Sequence, residues 1–181
     1  MSATGPAFDP ELYVRALRFA AGKHAGQKVP GTELPYVVHV VSVAAEVIAA
    51  LAEVGRPELA ITCALLHDTV EDTGTSIDEI AAAFGAEVAA GVAALTKDAA
   101  RPKPERMADS LRRIRAQPRE VWCVKLADRI TNLAPPPVGW TREKCGAYRE
   151  EAGEIVAVLG EASAMLAARL RARIEAYAAF T

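Results

Sequence analysis

The chain has 181 residues, 51% of them hydrophobic and 24% charged, which suits one folded domain and excludes a largely disordered chain. A formal net charge of −2 leaves no broad basic field for nucleic acid or a membrane surface, so an anionic ligand must be met by local lysines and arginines. No run is long and apolar enough to span a bilayer, the start "MSATGPAFDP" has no signal-peptide pattern, and Cys63, Cys123 and Cys145 lack paired spacing, so a cytoplasmic protein with reduced thiols is expected.

Residues 1–8 are expected to form a flexible N-terminal tail. Beyond them strand-like alternation is absent and apolar residues recur at helical spacing, which predicts an all-α fold. Asp9 is an N-cap before Pro10 and opens the helix "PELYVRALRFAAGKHA". A loop over residues 26–34 leads to "PYVVHVVSVAAEVIAALAEV", and Pro57 opens "PELAITCALLHDTV". Ser76 and Glu79 form a capping box for "SIDEIAAAFG", which Gly85 closes. "AEVAAGVAALT" follows, then a polar loop, "KDAARPKPER", and helices around "RMADSLRRIRAQ" and "EVWCVKLADRITNL". The connector "APPPVG" cannot be helical. Thr141 caps "REKCGAYREEAGEIVAVL", and Gly160 separates it from a last helix.

The three histidines fall at the end of the first helix (His24), inside the second (His39) and near the end of the third (His67). A lone histidine on an apolar helix is commonly a satisfied core residue. Here, however, Asp68 follows His67 at once, and Asp128 lies among apolar neighbours in "VKLADRITNL". Burying such charge is costly without a partner. Two neutral imidazoles and two carboxylates make a four-ligand N/O set with positions left for water, which suits Mn²⁺, Fe²⁺ or Mg²⁺ better than a closed zinc site. So few histidines argue against a second imidazole-based site, and a single ion is expected.

The order His39, His67-Asp68, Asp128 is the H…HD…D signature of the HD phosphohydrolase superfamily. The segments "KHAGQKVPGTELPYVVHVVSVAAEV", "LLHDTVEDTGTSIDEIAAAFGAEVAAGVAALTK", "VKLADRITNL" and "GWTREKCGAYREEAGEIV" resemble the hydrolase domain of RelA/SpoT-type alarmone enzymes, and especially the small stand-alone hydrolases that include the metazoan SpoT homologue. The resemblance runs from about His24 to the final helix. It implies a compact multi-helix HD-domain phosphohydrolase fold, a single domain over residues 1–181, with no synthetase half.

The resemblance further implies removal of the 3′-diphosphate of guanosine alarmones (ppGpp and pppGpp to GDP and GTP plus pyrophosphate) by attack of a metal-bound water. Its ligands would be His39, His67, Asp68 and Asp128, and its cofactor one Mn²⁺, with Fe²⁺ or Mg²⁺ less favoured. The family assigns Glu71 and Asp72 to catalysis. In a continuous helix each follows a ligand by four residues and shares its face, so that Asp72 orients or deprotonates the water and Glu71 positions it. The plain alternative is a solvated helix end. Asn132, one turn after Asp128, can turn its amide to the same pocket and bond a ribose or phosphate oxygen; the pair Lys144 and Tyr148 match substrate-contacting positions in relatives, and Lys28, Lys103 and Arg106 are further candidates for phosphate. Lys125 is placed to neutralise carboxylates or phosphate, and His24 to shape the pocket wall.

One departure bears on specificity. Relatives carry an Arg-Lys pair before the Gly-Thr of the first loop, where this chain has Val29 and Pro30, which can neither stack on a purine nor fork onto phosphate. Two alternatives therefore stand beside the alarmone reading: a phosphatase for another nucleotide, such as the 2′-phosphate of NADPH, and a non-catalytic nucleotide-binding module. The expected partner is a small nucleotide, with no nucleic acid and no membrane. No oligomeric partner is legible.

Overall fold

The computed structural model describes residues 9–181, so the expected N-terminal tail lies outside the described residues. The helices are α1 (Pro10–Lys23), α2 (Val37–Ala49), α3 (Pro57–Leu66), α4 (Thr69–Asp72), α5 (Ile77–Phe84), α6 (Ala86–Leu95), α7 (Arg106–Arg115), α8 (Arg119–Asn132), α9 (Arg142–Leu159) and α10 (Ala164–Tyr177). Among the described residues no strand forms; Lys28 and Pro35 share an isolated bridge. The all-α expectation holds, and among the described residues no helix is long and apolar enough to cross a membrane.

The helix starts follow from the predicted caps. The Asp9 carboxylate accepts from the Glu11 N–H at 2.9 Å. Ser76 and Glu79 exchange both bonds of the capping box, and the Thr141 hydroxyl accepts from the Lys144 N–H at 3.2 Å. Each satisfies N–H groups that a helix start leaves without partners.

Two helices are apolar almost all round and form the centre. In α3 every residue but Glu58 is buried, and α8 is buried continuously from Glu120 to Ile130. They pack on each other; α2 lies against both, α1 and α6 cover α3, and α9 and α10 cover α8. The approach of α6 requires Gly91, where a Cβ would stand 2.8 Å from Cys63 Sγ and 3.0 Å from Val121. Burial lifts the Cys63 thiol to about 12, and all three cysteines are buried and free.

Two expected helices are interrupted: the second ends at Ala49 and gives way to a 3₁₀ turn, Leu51–Glu53, and the break in the third shapes the site. The segment predicted to run through "LLHDTV" stops at Leu66, and the chain turns at His67-Asp68 before the single turn of α4. The competing acceptors are local. His67 Nδ1 lies 2.8 Å from the Ala64 carbonyl, and the Thr69 hydroxyl donates to the Leu66 carbonyl at 2.7 Å. Side chains thus take carbonyls that a continuing helix would use. The break turns Asp68 back toward α2 while α4 carries Glu71 and Asp72 outward.

Candidate metal centre

Three elements supply the centre: His39 from the first turn of α2, His67 and Asp68 from the α3–α4 turn, and Asp128 from the last turn of α8. His39, His67 and Asp128 are all buried, and each offers a ligand atom within 4.8 Å of the others. Asp128 Oδ1 stands 3.5 Å from His39 Nε2 and 3.7 Å from His67 Nε2. Asp68 falls outside that mutually close trio, yet its Oδ2 lies 3.4 Å from His39 Nε2 and 2.9 Å from His67 Nε2.

These distances test whether a metal fits. A cation with ligands at about 2.1 Å holds neighbouring donors roughly 3.0 to 3.5 Å apart, close to the separations here. Both imidazole Nε2 atoms are buried without a hydrogen-bond partner, a costly arrangement unless something else takes their lone pairs. Ala64 accepts from His67 Nδ1 when that nitrogen carries the proton, leaving Nε2 as the lone-pair nitrogen facing the carboxylates. The residues fit a divalent ion on N/O donors.

The surrounding groups orient the ligands. Lys125, 5% exposed, donates to Asp128 Oδ2 at 2.9 Å. Asn132 Nδ2 donates to Asp128 Oδ1 at 2.5 Å. Burial alone would raise the Asp128 carboxyl, but Lys125 and the two imidazoles outweigh it and hold it well below the usual range. Asp68 is likewise depressed against its burial, by His67 and His39. Burial would lower both imidazoles, and the two carboxylates instead raise them. The two carboxylates and Lys125 together carry one net negative charge, which a divalent ion would turn to one net positive charge, favourable for phosphate.

Tyr36, which the sequence reading did not single out, donates from its hydroxyl to Asp68 Oδ2 at 2.5 Å. Its ring lies 5.2 Å from that of His39 and 4.7 Å from that of His24. Burial first, and then the Asp68 charge, keep its hydroxyl protonated throughout the ordinary pH range, so it stays a donor. One signal was available: Tyr36 precedes His39 by three residues in "PYVVH", about one helical turn.

The catalytic candidates differ in their ties. Glu71 accepts from the Lys97 backbone N–H at 2.8 Å and the Lys97 ammonium at 3.1 Å. Burial works against that ammonium, but Glu71, Asp128 and Asp68 hold it charged. Lys97 is itself fixed, because Arg113 donates to the Ala93, Ala94 and Thr96 carbonyls at the end of α6. No sequence signal marks Lys97. Asp72 instead accepts from Gln27 at 3.0 Å.

A cavity of about 360 Å³ is lined by His39 and Asn132 together with apolar Val29, Pro30, Leu34, Val38 and Pro137 and the rings of Trp140 and Tyr148. Its loop wall is close-packed at Gly31, whose φ is +78° and where a Cβ would sit 3.0 Å from Pro137 Cβ. Lys144 stands over the Trp140 ring at 4.0 Å, and the Arg129 guanidinium lies 4.0 Å from the Tyr148 ring centre. Arg129 also donates to the Tyr148 carbonyl at 3.1 Å, pinning α9 to α8.

None of the cations expected to contact phosphate, Lys144 included, lines this cavity. Lys28 is exposed and paired with Glu33. Arg106 turns back to donate to the Arg101 and Ala99 carbonyls at 2.9 and 2.8 Å, closing its own loop. Lys103 sits exposed on the short 3₁₀ turn Lys103–Glu105. The helix expected to run on through His67 is broken at His67-Asp68, but the Asp72 N–H still donates to the Asp68 carbonyl at 2.9 Å, so these two residues stay one turn apart.

Comparison with known proteins agrees with this geometry. The HD-domain family profile matches residues 16–166. A zebrafish (Danio rerio) protein named guanosine-3′,5′-bis(diphosphate) 3′-pyrophosphohydrolase MESH1 is 34% identical, over 88% of this chain and 91% of its own. The human protein of that name is 36% identical over 79% of this chain and 82% of its own. A solved structure described as a metazoan ortholog of SpoT that hydrolyses ppGpp superposes with a TM-score of 0.82 at 30% identity, covering 94% of this chain and 97% of its own.

Proposed function

The chain belongs to the HD-domain family, and from that premise we propose that it is a metal-dependent hydrolase that removes the 3′-diphosphate of guanosine-3′,5′-bis(diphosphate). The carrying observation is the convergence of two unpartnered imidazole nitrogens and two carboxylates in a chain whose relatives bear that activity in their names. His39, His67, Asp68 and Asp128 would hold one divalent ion, Mn²⁺ in this reading, which when bound supplies a Lewis acid and makes water more acidic.

The chain's own residues supply the rest. Asp72 takes the proton from the attacking water as general base. Glu71, fixed by Lys97, positions that water. The water oxygen forms a bond to the phosphorus carried on the ribose 3′ oxygen, the bond between that phosphorus and the 3′ oxygen breaks, and pyrophosphate leaves as the 3′ oxygen takes up a proton. Asn132 holds the ribose or phosphate edge while orienting Asp128. Tyr148 and Trp140 offer rings to the nucleoside, and Lys144 a cation to phosphate. The enzyme acts as one domain in the cytoplasm, on a small nucleotide.

A second reading is favoured by the apolar wall of Val29 and Pro30: the same centre removes a phosphate from another nucleotide, such as the 2′-phosphate of NADPH. The experiment that separates them incubates the Mn²⁺-loaded protein with both nucleotides and identifies the inorganic product. Pyrophosphate from the alarmone supports the first reading, and orthophosphate from NADPH with an untouched alarmone supports the second. Tight binding without turnover of either contradicts both.

A further inference from the structure

Asp72 ends α4, a single turn whose Thr69 is buried but whose Glu71 and Asp72 are exposed, and one turn does not by itself hold an exposed carboxylate in a fixed place. Its tie comes from the corner between α1 and α2. Gly26, at φ +82°, turns the chain after α1. The Gln27 N–H donates to the His24 carbonyl at 3.0 Å, and the Gln27 carbonyl accepts from the Tyr36 N–H at 2.9 Å, so the Gln27 backbone is held from both sides. Its side chain then spans two groups: Oε1 lies 2.7 Å from His24 Nδ1, and Nε2 donates to Asp72 Oδ2 at 3.0 Å.

The chemistry of the three groups fixes the direction of this chain. An ionised carboxylate only accepts, so the amide NH₂ of Gln27 must face Asp72. Its oxygen must then face His24, and His24 must carry its proton on Nδ1. His24 is 3% exposed, its Nε2 has no hydrogen-bond partner, and its ring lies against Tyr36, whose hydroxyl holds Asp68. One corner of the fold therefore grips two of the acids in this segment, Asp68 through Tyr36 and Asp72 through Gln27, while Glu71 is held by Lys97.

We propose that Gln27, oriented by His24, is a positioning residue that fixes the Asp72 carboxylate for proton abstraction. This rests on the reading of Asp72 as general base. A misplacement of about 1 Å at a reacting group costs on the order of 100-fold in rate, and Gln27 is the side chain that prevents it. Neither Gln27 nor His24 touches substrate in this scheme; both act through Asp72.

The test is a double-mutant cycle. Gln27→Glu keeps the shape and the acceptor toward His24 but removes the donor toward Asp72. In the Mn²⁺-loaded protein it lowers kcat about 10- to 100-fold and leaves KM, calorimetric Mn²⁺ affinity and Tm close to the parent. Added to Asp72→Asn it changes kcat less than about twofold, because residues that act as a unit are not additive. Gln27→Ala gives the same pattern should the glutamate disturb folding, and His24→Asn, which still offers an N–H near the Nδ1 position, retains more turnover than His24→Ala. A full multiplicative loss in the Asp72→Asn background, or Mn²⁺ affinity falling in parallel with kcat, overturns the proposal. Asp72→Asn turning over at the parent rate instead defeats the general-base reading, whatever Gln27 does.

Discussion

His67 and Asp128 are set in or beside helices whose neighbouring side chains are buried on every side, whereas Lys28 stands on an exposed loop and Arg106 opens α7 at the surface beside one. In the first region little solvent reaches the side chains, so each polar atom must be paired or left at a cost, and the remaining lone pairs converge. In the second, water and nearby carbonyls satisfy a charge wherever it falls. Lys28 takes Glu33, and Arg106 takes two carbonyls of its own loop. A charged residue among apolar neighbours therefore points to a site, while a charge on a loop points mostly to its own surroundings.

Removing a ligand tests the buried region most severely. His67→Ala is expected to abolish stoichiometric Mn²⁺ binding and lower kcat/KM on the order of 10³-fold or more, the several kcal/mol that a divalent ion supplies; metal analysis and steady-state kinetics check both. At the edge of that region, Asp72→Asn is expected to lower kcat on the order of 10²-fold or more with metal content unchanged. Loss of metal instead would place Asp72 among the ligands.

Tyr36→Phe probes the layer behind the ligands. It keeps the ring against His24 and His39 and deletes the hydrogen bond to Asp68, so Mn²⁺ affinity falls about 10- to 100-fold, read by calorimetry. The pH dependence follows from the raised imidazoles. His39 and His67 hold protons above the usual histidine range when no metal is bound, and a metal needs their neutral forms. Apparent Mn²⁺ affinity therefore falls as pH drops through their titration, by up to about tenfold per unit for each proton displaced, and binding releases protons detectable in buffers of different ionisation enthalpy. In the exposed region Lys28→Ala, Lys103→Ala and Arg106→Ala are each expected to leave kcat/KM within about twofold. A loss above about tenfold for any of them would mean that the loops close over the nucleotide.

The helices and their caps were legible because local chemistry decides them: Asp9, Ser76 with Glu79, and Thr141 cap as expected. The cluster of His39, His67 and Asp128, with Asp68 beside it, was legible from imidazole and carboxylate set in apolar runs. The break at His67-Asp68 was not, because it depends on side-chain competition for the Ala64 and Leu66 carbonyls, and periodicity does not register that. Partners brought in from distant segments escaped for a similar reason. Lys97 reaches Glu71 across 26 positions and Gln27 reaches Asp72 across 45, separations that no local pattern encodes. For the surface cations only the charge was legible and not its direction: Lys28 turns to Glu33 and Arg106 to backbone carbonyls.

Titrating Mn²⁺ into the metal-free protein by calorimetry, beside Asp128→Asn, addresses the shared centre most directly. The geometry predicts one saturable site per chain, lost or weakened at least about 100-fold in the variant, the scale on which even outer-shell changes act. Binding of equal strength in both proteins, or none in either, would contradict a centre built from α2, the α3–α4 turn and α8.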